Sequence, residues 1–171
     1  GGERDDRYGD ISLSYMFRPN MSRLVNALLE HGANPNARIQ KGWKKSQLHP
    51  SEFVKIGVAG ATPFLLAASV DDVEMMHILL DAGADPKIAT ETKASTIMAA
   101  TGLNHGIGES LVTEADALAA VKLLLDLGVD PKGETTFGEN ALFGPAYRGW
   151  NKLLAQMIDL GVNVNAVSKA G

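Results

Sequence analysis

The residues best equipped to engage another molecule fall in three places. Arg38, Lys41, Lys44 and Lys45 surround Trp43 in a basic run with no acid between Asn36 and Glu52. Cations beside an indole ring can pair with acidic groups of a partner or with phosphate, while the ring stacks or fills a pocket. The same residues also suit an extended loop kept soluble by four cations, with Trp43, Leu48 and Phe53 packing back on the protein. A second stretch, LNHGIGESLV at 103–112, carries His105 and Glu109 near Gly102, Gly106 and Gly108. A glycine-rich turn ahead of a helix can hold an anion. This one lacks the Lys after Gly108 that a phosphate loop needs and the preceding strand that a dinucleotide fingerprint needs. His105 and Glu109 are therefore solvated loop residues or contacts to a partner. The third place holds Tyr147, Arg148 and Trp150, residue types that anchor protein interfaces. Packing against a neighbouring element suits the two aromatics equally well.

Catalysis finds little support. His31, His49, His77 and His105 stand apart, with no His-Glu-x-x-His and no His pair four residues apart, so no metal site is expected. There is no Cys, which removes thiolate ligands and thiol nucleophiles. Ser110, in Gly-Glu-Ser-Leu-Val, lacks the second Gly of a nucleophile elbow. Asp71, Asp72 and Glu74 form an acidic cluster, yet they precede an apolar periodic run, where acids cap a helix start and suit its positive end. The expectation is a non-enzyme without cofactor. Sixteen Lys and Arg against twenty Asp and Glu leave a net charge of −4, which argues against a nucleic-acid binder. No apolar run of 18 residues occurs, so no transmembrane helix is expected.

What must position these residues is a repeated unit. Four segments align without gaps: LLEHGANPN at 28–36, LLDAGADPK at 79–87, LLDLGVDPK at 124–132 and MIDLGVNVN at 157–165. Each places a pivot glycine (Gly32, Gly83, Gly128 or Gly161) just past an apolar stripe, followed by Ala or Val, then Asp or Asn, then Pro or Val. Gly takes the left-handed conformation that ends a helix, and Pro cannot continue one. Ahead of three pivots lie TPFLLAA at 62–68, STIMAA at 95–100 and NALFGPA at 140–146, which read as short first helices. Val73, Met76, Leu79 and Leu80, like Leu118, Val121, Leu124 and Leu125, repeat at helical spacing. One such helix pair cannot bury its stripe alone, but stacked pairs share a continuous core.

These residues resemble the ankyrin-repeat family. The best match is GATPFLLAASVDDVEMMHILLDAGADPK at 60–87; residues 138–165 keep Leu142, Ala146, Gly149 and Gly161 in register, 93–132 match once a loop is excised, and 21–36 supply a second half-unit. Residues 11–17 would be the divergent first helix of that half-unit. More narrowly, the chain is similar to bacterial ankyrin-repeat proteins with long interruptions between or within repeats. The resemblance implies an all-α fold, an ankyrin-like α-solenoid of stacked helix-turn-helix repeats with loop insertions. The family His of Thr-Pro-Leu-His is replaced by Ser14, Leu65, Met98 and Phe143, so apolar packing should stand in for its hydrogen bonds. The Gly between the helices is kept as Gly149, with Asn20, Asp71 and Asp116 at the other aligned positions.

The pivots stand 51, 45 and 33 residues apart. Against a period of about 33, the first two intervals carry about 18 and 12 extra residues, which stacked helices can accommodate only as loops. The expected layout is one ankyrin-repeat domain over 1–171, with repeats near 10–39, 60–92, 93–135 and 138–171 and insertions near 40–57 and 103–112. Thr113 followed by Asp116 reads as a capping pair that starts a lengthened helix after the second insertion. The function implied is a protein-interaction module that meets another protein through finger loops, first-helix faces and inserted loops, with Arg38, Trp43, Lys44, Lys45, His105, Tyr147, Arg148 and Trp150 as its contacts. A structural subunit packed within a larger complex, or stacked on further repeats of its own chain, is the alternative. The chain opens without Met or a signal segment, which fits cleavage after export, so the expected compartment is periplasmic or exported in a bacterium, otherwise cytoplasmic.

Overall fold

The computed structural model describes residues 20–40, 59–103 and 112–169. The nominated residues Trp43, Lys44, Lys45 and His105, and the anticipated first helix at 11–17, lie outside the described residues. The chain divides into two compact units, Gly1–Asn34 and Pro35–Gly171. In the first unit, helix α1 spans Met21–Glu30, and none of its residues is buried.

The second unit carries six helices among the described residues: α2 (Pro63–Ser69), α3 (Val73–Asp81), α4 (Thr96–Ala100), α5 (Glu114–Asp126), α6 (Phe143–Arg148) and α7 (Asn151–Asp159). No strand occurs among the described residues. Short first helices alternate with longer second helices. Four of these six starts have a local cause. Thr62 accepts from the Leu65 N–H and precedes Pro63 at the first helical position, Ser95 accepts from Met98, and Asp72 accepts from Met75. Thr113 and Asp116 form a reciprocal capping box, as their spacing predicts.

The helix ends repeat as well. Gly32, Gly83, Gly128 and Gly161 all have positive φ, between 73° and 87°. In the second unit the Gly83 N–H donates to Leu80 and the Ala84 N–H to Leu79, and the same pair of bonds recurs at 128–129 and 161–162. This double bond pattern satisfies carbonyls that the helix end would otherwise strand. Asp85, Asp130 and Asn163 then each accept from the backbone N–H two residues on, which explains why Asp or Asn follows each pivot.

Stacking buries Phe64, Met76, Ile97, Met98, Val121, Leu124, Leu153 and Met157 almost completely. Each such side chain contributes about 1.5–3 kcal/mol relative to an exposed position. Leu65 and Met98, two residues standing where the family has His, are buried as apolar packing requires. Between repeats, the Asn36 amide donates to the Gly83 carbonyl and accepts from the Asp85 N–H. The Lys87 ammonium lies 3.6 Å from where a Gly128 Cβ would stand, and that of Lys132 lies 3.3 Å from the same point on Gly161. Both cations thus sit at the negative end of the next helix. The finger turns stack through single backbone bonds, Glu91 to Ala59, Thr136 to Thr92 and Lys169 to Phe137.

Two readings of the acidic residues need correction. Asp72 caps α3, but Asp71 does not: it occupies the left-handed turn after α2, with φ 53° and its side chain buried. In the next repeat the left-handed turn is taken by Gly102, φ 81°, rather than by Asp116. Asp116 lies inside α5 because that helix has 13 residues where α3 and α7 have nine, so it begins a turn earlier.

Candidate protein-binding surface

The first insertion leaves and re-enters the second unit at one point. The Ile39 N–H donates to Ala61 and the Gly60 N–H donates to Ile39, which closes the base of the loop. Ile39 also packs on the small apolar group Ala61, Leu65 and Ala99. Arg38 fastens this base from the side: its Nε donates to the Gly60 carbonyl at 3.1 Å and its Nη2 to the Ala89 carbonyl at 2.9 Å. The guanidinium therefore bridges the first finger to the next one. A Gly60 Cβ would stand 2.7 Å from Nη2, so the close approach depends on glycine.

The second insertion is held by the same type of residue. Its described ends are Leu103 and Val112. Arg148 Nη2 donates to the Val112 carbonyl at 3.2 Å, and its Cδ, together with the Trp150 ring, packs over Gly102. Its guanidinium carbon lies 4.2 Å from the centroid of the Trp150 ring, a cation–π contact. Burial lowers the pKa of this guanidinium, and Asp71 opposes the shift. Both arginines nominated as partner contacts are thus spent on backbone carbonyls of their own chain, at the bases of the two insertions.

Tyr147 stands apart from Arg148 and Trp150 in being free to meet a partner, since it is 47% exposed while they are half-buried. Leu66 on α2 and Val70 at its C-cap, 40% and 39% exposed, are apolar surface residues that the repeat pattern does not single out. Their signal is helical spacing: Phe64, Leu65 and Ala68 face the core, which leaves Leu66 and Val70, four apart, on another side. His31 Nδ1 donates to the Ala27 carbonyl of its own helix end at 2.7 Å, a local structural role. Among the described residues, no three His, Asp or Glu side chains gather as a metal-holding group, and no helix is long and apolar enough to cross a membrane.

The repeat geometry has counterparts among known proteins. The family profile described as Ankyrin repeat matches residues 59–91, the finger, α2 and α3. Over 108 residues, 63% of this chain, the sequence is 30% identical to "Ankyrin repeat, SAM and basic leucine zipper domain-containing protein 1" of Homo sapiens. The proteins of that name from Gorilla gorilla gorilla and Pan troglodytes match equally. The matched part spans 17% of the length of these relatives. Helix pairs closed by left-handed glycines, fingers joined by backbone bonds and the family match agree: residues 59–91 are an ankyrin repeat, and the helix pairs that follow repeat its plan.

Proposed function

We propose that the chain is a non-catalytic module that binds a partner protein through its finger loops, its first-helix faces and its two inserted loops. Ankyrin repeats in general are protein–protein interaction modules rather than enzymes. The observation that carries the reading is the fastening of both insertions. Each loop base is pinned by an arginine, Arg38 or Arg148, to backbone carbonyls. A loop held at a fixed base loses less entropy on meeting a partner than one on a slack tether. Tyr147 on α6, Leu66 on α2 and Val70 just after it add exposed aromatic and apolar contact area.

The test is capture from the native source by the intact chain and by a variant with residues 41–57 and 104–111 replaced by short linkers. The expected result is loss of a reproducible partner, with the melting temperature changed by only a few degrees, on the order of 1 kcal/mol. Equal capture by the two proteins would overturn the reading.

A structural subunit of a larger assembly is the second reading, favoured by the exposure of Leu24 and Leu28 on α1 and of Val164 and Val167 near the other end of the described residues. Native mass spectrometry of material from the source distinguishes them. A fixed-stoichiometry complex that never releases free chain supports the subunit, and an exchanging complex supports the module.

A further inference from the structure

Asn36, Lys87, Lys132 and Asn165 each stand four residues after a pivot glycine. The first three reach across to the pivot turn of the repeat that follows. The Asn36 amide donates to the Gly83 carbonyl and accepts from the Asp85 N–H, the Lys87 ammonium lies beside Gly128 and the Lys132 ammonium beside Gly161. Asn165 has the residue type of Asn36 and is exposed, and its side-chain amide holds no partner among the described residues.

The apolar residues beside Asn165 follow the same rule. Leu80 and Leu125, three before their pivots, and Pro86 and Pro131, three after, are half-buried in repeats whose second helices pack on the next, α3 on α5 and α5 on α7. Their counterparts in the repeat of α7, Ile158 and Val164, are 44% and 60% exposed, and Val167 is 76% exposed. The backbone there is seated like that of the other fingers: the Val167 carbonyl lies close against Gly138 and the Lys169 N–H donates to Phe137. This face therefore reproduces the surface on which one repeat receives another. Helix α1 presents the reciprocal surface. Leu24 and Leu28, eight and four residues before Gly32, are 55% and 51% exposed, whereas Met75 and Leu79, Ala120 and Leu124, and Leu153 and Met157 at the same levels are buried. Gly32 closes α1 with φ 86°, and nothing stands within 4 Å of where its Cβ would be, as at Gly83, which receives Asn36.

We propose that a second copy of this chain docks head to tail. The face of Ile158, Val164, Asn165 and Val167 on one copy receives α1 of the next, and the Asn165 amide donates to the Gly32 carbonyl as Asn36 does to that of Gly83. Continuity with the packing of repeat on repeat names the occupant, and the exposed leucines of α1 supply the apolar side of the contact. The proposal rests on the assembly reading above and not on the insertions. Two different faces meet, so the contact does not close on itself, and a third copy adds as the second did.

The test is sedimentation equilibrium of the full chain from about 10 µM to about 1 mM. The expected result is a mean mass that rises with concentration and passes the dimer without a plateau. Asn165→Ala should weaken each step about fivefold, the worth of one hydrogen bond. Two variants at exposed positions separate the faces, Ile158→Glu with Val164→Glu and Leu24→Glu with Leu28→Glu. Each alone should stay monomeric, and their equimolar mixture should give a one-to-one heterodimer and nothing larger, because each keeps one working face. A parent chain that is monomeric at about 1 mM, a mass that stops at the dimer, or a mixture that stays monomeric would overturn the proposal. Should the α1 variant fail to fold by circular dichroism, the other decides: added in excess to the parent it must lower the mean mass by capping the growing end, and an unchanged mass overturns the proposal. None of these outcomes bears on the insertions, whose capture experiment stands by itself.

Discussion

Asp71 ties a single proton to the stability of the chain. The folded state holds its carboxyl up to about 8 against 3.8 for an ordinary Asp, mainly by desolvation. Between those values the unfolded chain has released a proton that the folded chain retains, so stability falls as pH rises through the window and levels off above it. Asp116 has the opposite sign: lowered by Thr113, it adds stability at neutral pH that is lost on acidification, and solvent screening keeps that share small. The melting temperature of Asp71→Asn should therefore gain on the parent as pH is raised from about 5 to about 9; a constant difference over that range would refute the assignment. The glycines make a second contrast at this scale. Gly83→Ala meets nothing within 4 Å and bears only the strain of φ 87°, about 1–2 kcal/mol. Gly144 has ordinary φ, but a Cβ there would collide with the Thr101 carbonyl and stand 2.7 Å from the Leu103 nitrogen. Gly144→Ala should cost clearly more than Gly83→Ala in urea unfolding, although only Gly83 belongs to the repeated motif. The sequence marks Gly83 by its fourfold repetition and Gly144 as a small residue that lets a neighbouring helix approach; which atoms Gly144 must admit is fixed only where α6 meets the end of α4.

At the scale of elements, the neighbouring repeat finishes what a helix cannot finish alone. Helix α7 begins at Trp150 with no side-chain cap of its own. Glu114, in the first turn of α5, accepts instead from the Lys152 and Leu153 N–H groups, at 2.7 and 3.1 Å. Glu114→Ala should thus raise amide exchange at 152 and 153, in α7, more than anywhere in α5, whose capping box is intact, with a loss on the order of 1 kcal/mol. Exchange that rises only in α5 would contradict this. The caps at Thr62, Ser95, Asp72 and Thr113 follow from residue types at fixed offsets and can be read from the sequence. Glu114 cannot, since its acceptor role joins residues 38 and 39 positions apart. The same distance hides Arg38 and Arg148: their composition suggests a partner, but the carbonyls of Gly60, Ala89 and Val112 already hold them.

Across the whole molecule, protection should follow burial. Helix α1 has no buried residue, while α3 and α5 bury Met75, Met76, Leu79, Ala117, Ala120, Val121 and Leu124. Hydrogen exchange should therefore open α1 at lower free energy than α3 or α5; equal protection would show that α1 shares their cooperative unit. The sequence alone determined the helix pairs, the left-handed ends and the residues that fill the core, because each depends on local backbone chemistry or on apolar spacing within one unit. It also located the two irregular intervals, since a repeat array makes any excess visible. Tertiary structure decided what surrounds those irregularities: it turned two apparent contact arginines into fasteners, and it buried Asp71 within reach of the charge of Asp116. Hydrogen bonds and desolvation depend on groups that meet only when one repeat is laid on the next, and a linear pattern carries no record of those distances.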